Sequence, residues 1–129
     1  MTTPPFDLFA SALRFHPDGG VHAAERRMTG DGSDAWQLAA FRVATDADVH
    51  ADHWEMHPDA DEAVCCLRGG VRLHFRGTGD GDAGETVRLR AGEGVVVPRG
   101  RWHRIGLDEP SELMSVTRRD GTRLEERAS

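Results

Sequence analysis

The chain has 129 residues and a mass of 14.2 kDa, the length of one domain with a real hydrophobic core and no room for a second cofactor-binding lobe. Hydrophobic residues make up 38% and charged residues 29%, a balance that excludes a disordered chain, and the net charge of -6 has the wrong sign for a partner made of nucleic acid. No apolar run approaches the roughly 18 residues of a membrane-spanning helix, and Met1-Thr2-Thr3-Pro4-Pro5 lacks the basic and apolar regions of a signal peptide, so a cytoplasmic protein with no membrane partner is expected.

In chain order, residues 1–35 form an N-terminal arm. Residues 6–15 fit a short helix or an edge strand, His16-Pro17-Asp18-Gly19-Gly20 reads as a turn, and residues 28–34 read as a loop. From Trp36 the texture changes to short apolar runs separated by Gly, Pro or Asp. Strands are expected over 36–43, 53–57, 62–67, 71–76, 86–90, 94–97, 102–106 and 112–117. Alternation is clearest in Val71-Arg72-Leu73-His74-Phe75-Arg76 and in Thr86-Val87-Arg88-Leu89-Arg90, where each strand has one buried and one wet face. Arg72, Arg76, Arg88 and Arg90 therefore belong to a solvated or interface face. The acidic, glycine-rich stretch 77–84 lacks the spaced carboxylates and closing Glu of a calcium loop and reads as a solvated hairpin loop. Residues 119–129 are a charged, frayed tail, which leaves 36–118 as the core. Eight short alternating strands fit an all-β sandwich or jelly-roll barrel.

Cys65 and Cys66 are adjacent, so they close no loop, and on a strand they point to opposite faces. A reducing compartment agrees with that. If Glu62 faces inward at the start of its strand, Val64 and Cys66 share its face.

Chemistry concentrates in His53-Trp54-Glu55-Met56-His57-Pro58-Asp59-Ala60-Asp61-Glu62. On a strand His53, Glu55 and His57 project from one face, and a turn over 58–61 returns Glu62 at the start of the next strand, as in a hairpin. A second group, running from Gly92 through Pro98 and Gly100 to His103, sets one more imidazole just after a turn.

These two stretches resemble the paired motifs of the cupin superfamily, an antiparallel jelly-roll barrel. The first motif is Gly, five residues, His-x-His, three or four residues, Glu, six residues, Gly. Glu55-x-His57, four residues, Glu62, six residues and Gly69 keep its frame, with Glu55 at the first His and Val49 at the first Gly. The second is Gly, five residues, Pro-x-Gly, two residues, His, three residues, Asn; Gly92, Pro98, Gly100 and His103 match in register, and Leu107 replaces the Asn. The resemblance implies an all-β, double-stranded antiparallel β-helix (jelly-roll) cupin domain over 1–129. It maps the family's metal ligands onto Glu55, His57, Glu62 and His103.

Two carboxylates and two imidazoles suit Fe, Mn or Zn better than copper(I), because Glu in place of His hardens the site without abolishing it. His53 is a candidate fifth group or substrate contact, and His53 and Phe75 are the expected pocket residues. The alternative is a polar pocket without metal. Its two close carboxylates would then have to take up protons or recruit another charge.

The resemblance names a scaffold and a site, since fold does not settle chemistry. It implies a metal-dependent enzyme acting on a small molecule, of oxygenase, isomerase or lyase type, or else a non-catalytic ligand-binding or regulatory module. A metal-free epimerase with a His and Tyr pair is disfavoured, because the chain has no tyrosine. A homodimer is the further expectation, with strand 36–43 or the N-terminal arm packed across it.

Overall fold

The computed structural model describes residues 3–28 and 33–128 and has eleven strands among them, the central ones built on apolar side chains at every second position. They are β1 (Ala12–Phe15), β2 (Val21–Ala24), β3 (Trp36–Val43), β4 (His53–Met56), β5 (Glu62–Arg68), β6 (Gly70–Phe75), β7 (Glu85–Arg90), β8 (Gly94–Val97), β9 (His103–Leu107), β10 (Ser111–Thr117) and β11 (Arg123–Glu126), with a 3-10 turn at Asp46–Val49. All pairings are antiparallel, in two sheets of order β2-β1-β3-β10-β5-β8 and β11-β4-β9-β6-β7. This is a jelly roll, in which consecutive strands often belong to opposite sheets. The core between them holds Val43, Val64, Cys66, Val71, Leu73, Phe75, Leu89, Val97 and Leu113.

Each expected strand is present with bounds shifted by at most one residue, because those strands bury one face and carry the alternation that betrays it. The ends of the chain differ from expectation. Within 6–15 only Ala12–Phe15 is a strand, and it is internal, paired with both β2 and β3 of its own chain. The turn after it is as expected: the Gly19 N–H donates to the His16 carbonyl at 2.9 Å and the His16 N–H to the Gly20 carbonyl at 2.8 Å. Part of the loop expected over 28–34, residues 29–32, lies outside the described residues.

The charged tail is not frayed along its length. Arg123–Glu126 pairs with β4 in continuous register, from Arg123 opposite Met56 to Glu126 opposite His53. All four of its side chains are exposed. Main-chain hydrogen bonds hold this edge strand, and composition does not register them. β2 was missed for the same reason.

Parity inside the sheets follows the sequence. Glu62, Val64 and Cys66 of β5 are buried, while Cys65 is partly exposed. On β10, Ser111, Leu113, Ser115 and Thr117 are buried in alternation, and the pattern runs past the strand end to Arg119. Gly69, between β5 and β6, has φ +91°, and a Cβ there would press on the Ser111 side chain and come within 2.7 Å of the Pro110 carbonyl oxygen. The final glycine of the first motif is thus required by a left-handed turn packed against its neighbour.

Two measurements check this parity and this turn. Burial pushes the Cys66 thiol up, so a thiol reagent on the native protein should modify Cys65 first, as read by mass mapping of the adduct; the opposite order would turn β5 over and withdraw Glu62 from the interior. Gly69→Ala should lower stability in chemical denaturation by about 1–3 kcal/mol, the usual cost of a side chain held in such a conformation.

Candidate metal centre

Glu55 lies in β4, His57 one residue past its end, and Glu62 and His103 open β5 and β9. β4 meets β9 at one register position, Glu55 opposite His103, which puts those two side chains on one face. The 58–61 segment is not the hairpin turn expected. β4 has β9 and β11 on its two edges and β5 has β8 and β10, so residues 58–61 cross from one sheet to the other. The crossover is pinned by the Thr117 hydroxyl donating to the Asp61 carbonyl at 2.9 Å and by the Arg99 N–H donating to Asp61 Oδ1 at 2.9 Å. The Gly100 N–H, in a turn with φ +81°, donates to the His57 carbonyl at 2.8 Å and ties the second motif to the first.

Four side chains meet at one point. Glu55 Oε1 is 3.0 Å and Glu62 Oε1 3.3 Å from His57 Nε2; the same two oxygens are 3.7 Å and 2.9 Å from His103 Nε2. One ligand atom from each residue lies within 4.8 Å of all the others. His57, Glu62 and His103 are each 2% exposed.

Hydrogen bonds behind the rings orient them. His103 Nδ1 lies 3.0 Å from the Arg101 carbonyl, which only accepts, so Nδ1 carries the proton and Nε2 is the inward atom. His57 Nδ1 is 2.8 Å from the Thr122 hydroxyl. His57 Nε2 is buried without a hydrogen-bond partner, although two carboxylate oxygens lie within 3.3 Å of it. Those oxygens stand outside hydrogen-bond geometry for that nitrogen. A cation between them and the ring would satisfy all three atoms, and the donor set of two carboxylates and two imidazoles suits a divalent ion.

Sequence reasoning missed the charge that faces these carboxylates. Arg119, 8% exposed, donates from Nη1 to Glu55 Oε2 at 3.1 Å and from Nη2 to Glu62 Oε2 at 3.5 Å. Its Nη1 also reaches the Met28 carbonyl at 3.3 Å, and its Nε is buried without a partner. Arg118-Arg119-Asp120 looks like a solvated run; the legible signal was the inward parity of Ser111, Leu113, Ser115 and Thr117, which reaches Arg119. Thr122 was likewise set aside as tail.

The electrostatics follow from this packing. Burial works against ionisation of Glu55, but the His103 and His57 ring nitrogens beside its Oε1 and the charge of Arg119 outweigh it and hold the carboxyl well below the usual range. Glu62 is more deeply buried than Glu55, yet His103 and His57 hold it at about 2 against the repulsion of Glu55. Desolvation would lower His103, and the carboxylates of Glu55 and Glu62 override it and push the imidazole up to about 10. His57 is raised by the same two carboxylates against its burial.

A cavity of about 250 Å³ opens over the cluster, with Phe41, Val49, Leu113 and Leu124 among its apolar walls and Arg26, Arg104 and Arg119 on its polar side. His53 lines it, with Nδ1 turned to Asp52 Oδ1 at 2.9 Å. Phe75 does not belong to its lining. It stands opposite His103 in register but packs in the core with Val71 and Leu73, under the Arg101 guanidinium at 5.2 Å. Inward parity places a side chain between the sheets without saying at which end the barrel opens.

A family model described as a cupin domain matches residues 41–117. Among solved structures, a cupin-2 domain protein from Shewanella frigidimarina is 24% identical, covering 71% of each chain with a TM-score of 0.47. BH2720 from Bacillus halodurans is 15% identical over 86% of this chain and 70% of that one, TM-score 0.53. Oxalate decarboxylase of Bacillus subtilis, in a study of its Mn(II) centres, is 21% identical over 71% of this chain but only 23% of its own length, TM-score 0.50. No curated protein matches the chain.

The shifted groups predict how the metal-free protein responds to pH. Glu62 is lowered from 4.5 to about 2, so its contribution to stability is present above about 4.5 and is lost as pH falls toward 2. His103 is raised from 6.5 to about 10, so its contribution is full below 6.5 and is lost as pH rises toward 10. Thermal unfolding of chelator-dialysed protein should show both limbs, and His103→Ala should flatten the alkaline one. An alkaline limb unchanged in that variant would mean that His103 does not carry the charge.

Proposed function

The chain belongs to the cupin family, and from that premise we propose that it is a metal-dependent enzyme acting on a small molecule, with Glu55, His57, Glu62 and His103 holding a divalent ion of Fe, Mn or Zn. The observation that carries the proposal is the convergence of four ligand atoms, one of them His57 Nε2, a buried nitrogen with no hydrogen-bond partner. A bound divalent ion would supply Lewis-acid polarisation of a ligand oxygen or, as iron, activation of oxygen. The chain's own groups do the positioning. Arg101 and Thr122 hold the two rings through their Nδ1 atoms and aim Nε2 inward, and the Arg101 carbonyl also sets the His103 tautomer. Apolar walls flank the cavity beside the cluster. His53, held by Asp52 through Nδ1, has Nε2 left to accept or donate a proton at its edge.

One observation favours a second function, a non-catalytic ligand-binding module without metal. Arg119 already pairs both carboxylates, which is the recruited charge that a metal-free pocket requires.

Elemental analysis of the purified protein separates the two. The metalloenzyme predicts close to one divalent ion per chain, with His57→Ala and His103→Ala folded by circular dichroism but binding the ion at least about tenfold more weakly, a loss at the low end of that seen when groups supporting a metal site are removed. Wild-type stoichiometry in both variants after dialysis would exclude this site; a metal-free wild type that binds ligands would establish the module.

A further inference from the structure

We propose that Arg119 sets the ligand class of this centre, a small monoanion of carboxylate type with a short hydrocarbon body. The proposal rests on the metal assignment above and adds to it what the loaded site attracts.

The two carboxylates divide their oxygens by function. Both Oε1 atoms face the imidazole nitrogens, and both Oε2 atoms are held by the two Nη atoms of Arg119. A planar guanidinium spans two such acceptors where a point charge would hold one. Each carboxylate is thereby left one oxygen for the centre, and the cation stays beside it, buried and committed.

The charge then follows. Arg26, Arg104 and Arg119 line the cavity against Asp48, Glu55 and Glu62, three cations and three carboxylates. Loading a divalent ion leaves that lining with excess positive charge. Within the centre itself, the ion alone would neutralise Glu55 and Glu62, and Arg119 adds one positive charge beyond that. Uncompensated charge next to apolar walls is costly, and a bound anion relieves it. Asp48 is already in that count, its carboxylate held by the Ala44 and Thr45 N–H groups. Arg26 is turned onto the Ala40 and Phe9 carbonyls.

The walls define the rest of the ligand. Phe41, Val49, Ile105, Leu113 and Leu124 are the apolar surface beside the centre, and a short chain fills a cavity of about 250 Å³. A branched or short aliphatic carboxylate meets both demands, with its oxygens at the charge and its carbons against the walls.

The test uses cobalt(II)-loaded full-length protein, with the visible absorption of the ion as readout, titrated with isovalerate, acetate and isovaleramide. Isovalerate should bind at least tenfold tighter than isovaleramide, which isolates the charge, and tighter than acetate, which isolates the hydrocarbon. Arg119→Gln should still take up cobalt and lose the preference for acid over amide by tenfold or more, and Arg119→Lys should restore it. The proposal is overturned if wild-type protein binds the amide as well as the acid, a comparison that needs no variant, or if Arg119→Gln keeps the acid preference. Cobalt uptake that depends on His57 and His103 but shows no acid preference would sink this proposal alone. Absence of cobalt uptake would remove the metal assignment and this proposal with it.

Discussion

Two carboxylates side by side in a protein interior repel each other and lose their hydration, and in this protein Glu55 and Glu62 do both. Their ionised forms persist because cations surround them on every packed side: His57 and His103 on the inner oxygens, Arg119 on the outer ones. Withdrawing one partner from such a buried arrangement typically costs about 3–5 kcal/mol, because the remaining charge is left uncompensated. The architecture around the site can be understood as the means of holding those partners in place. Arg101 and the Thr122 loop fix the rings, and β10 delivers Arg119 from the opposite sheet.

The jelly roll makes this assembly possible because its connections alternate between sheets. β4 and β9 pair in one sheet, while β5 begins in the other, and the crossover at 58–61 brings Glu62 face to face with the Glu55–His103 pair. A hairpin would have laid His57 and Glu62 along one surface. Crossing instead encloses the cluster between two sheets, where apolar walls and a low dielectric strengthen each charge interaction. The Gly100 to His57 hydrogen bond locks the two motif segments together, so the imidazoles of both motifs are set by one local contact rather than by long side chains reaching across a void.

The same packing explains why metal and arginine do not compete for the same atoms. The guanidinium takes Oε2 of each carboxylate and leaves Oε1 to the interior. In the absence of an ion, protonated His57 and His103 are the cations on the inner oxygens, and an arriving divalent ion would replace their protons. Both carboxylates thus face cations in either condition, which permits the fold to form before any cofactor binds.

How much of this was legible in the chain depends on the range of each signal. Alternation in strands such as Val71–Phe75 is local, so the core strands could be read from residue order; spacing from Glu55 to Gly69 and from Gly92 to His103 is local too, and the family resemblance it carries named the four side chains that cluster. β2 and β11 could not, because exposed edge strands are held by backbone hydrogen bonds that any composition can make. Phe75 showed its inward direction but not its distance from the barrel mouth. Arg119 carried its parity in the sequence, yet its partners are more than fifty residues away in chain order. Which sheet each strand joins, which charge faces which, and where the cavity opens are properties of long-range pairing, and only the tertiary structure decides them.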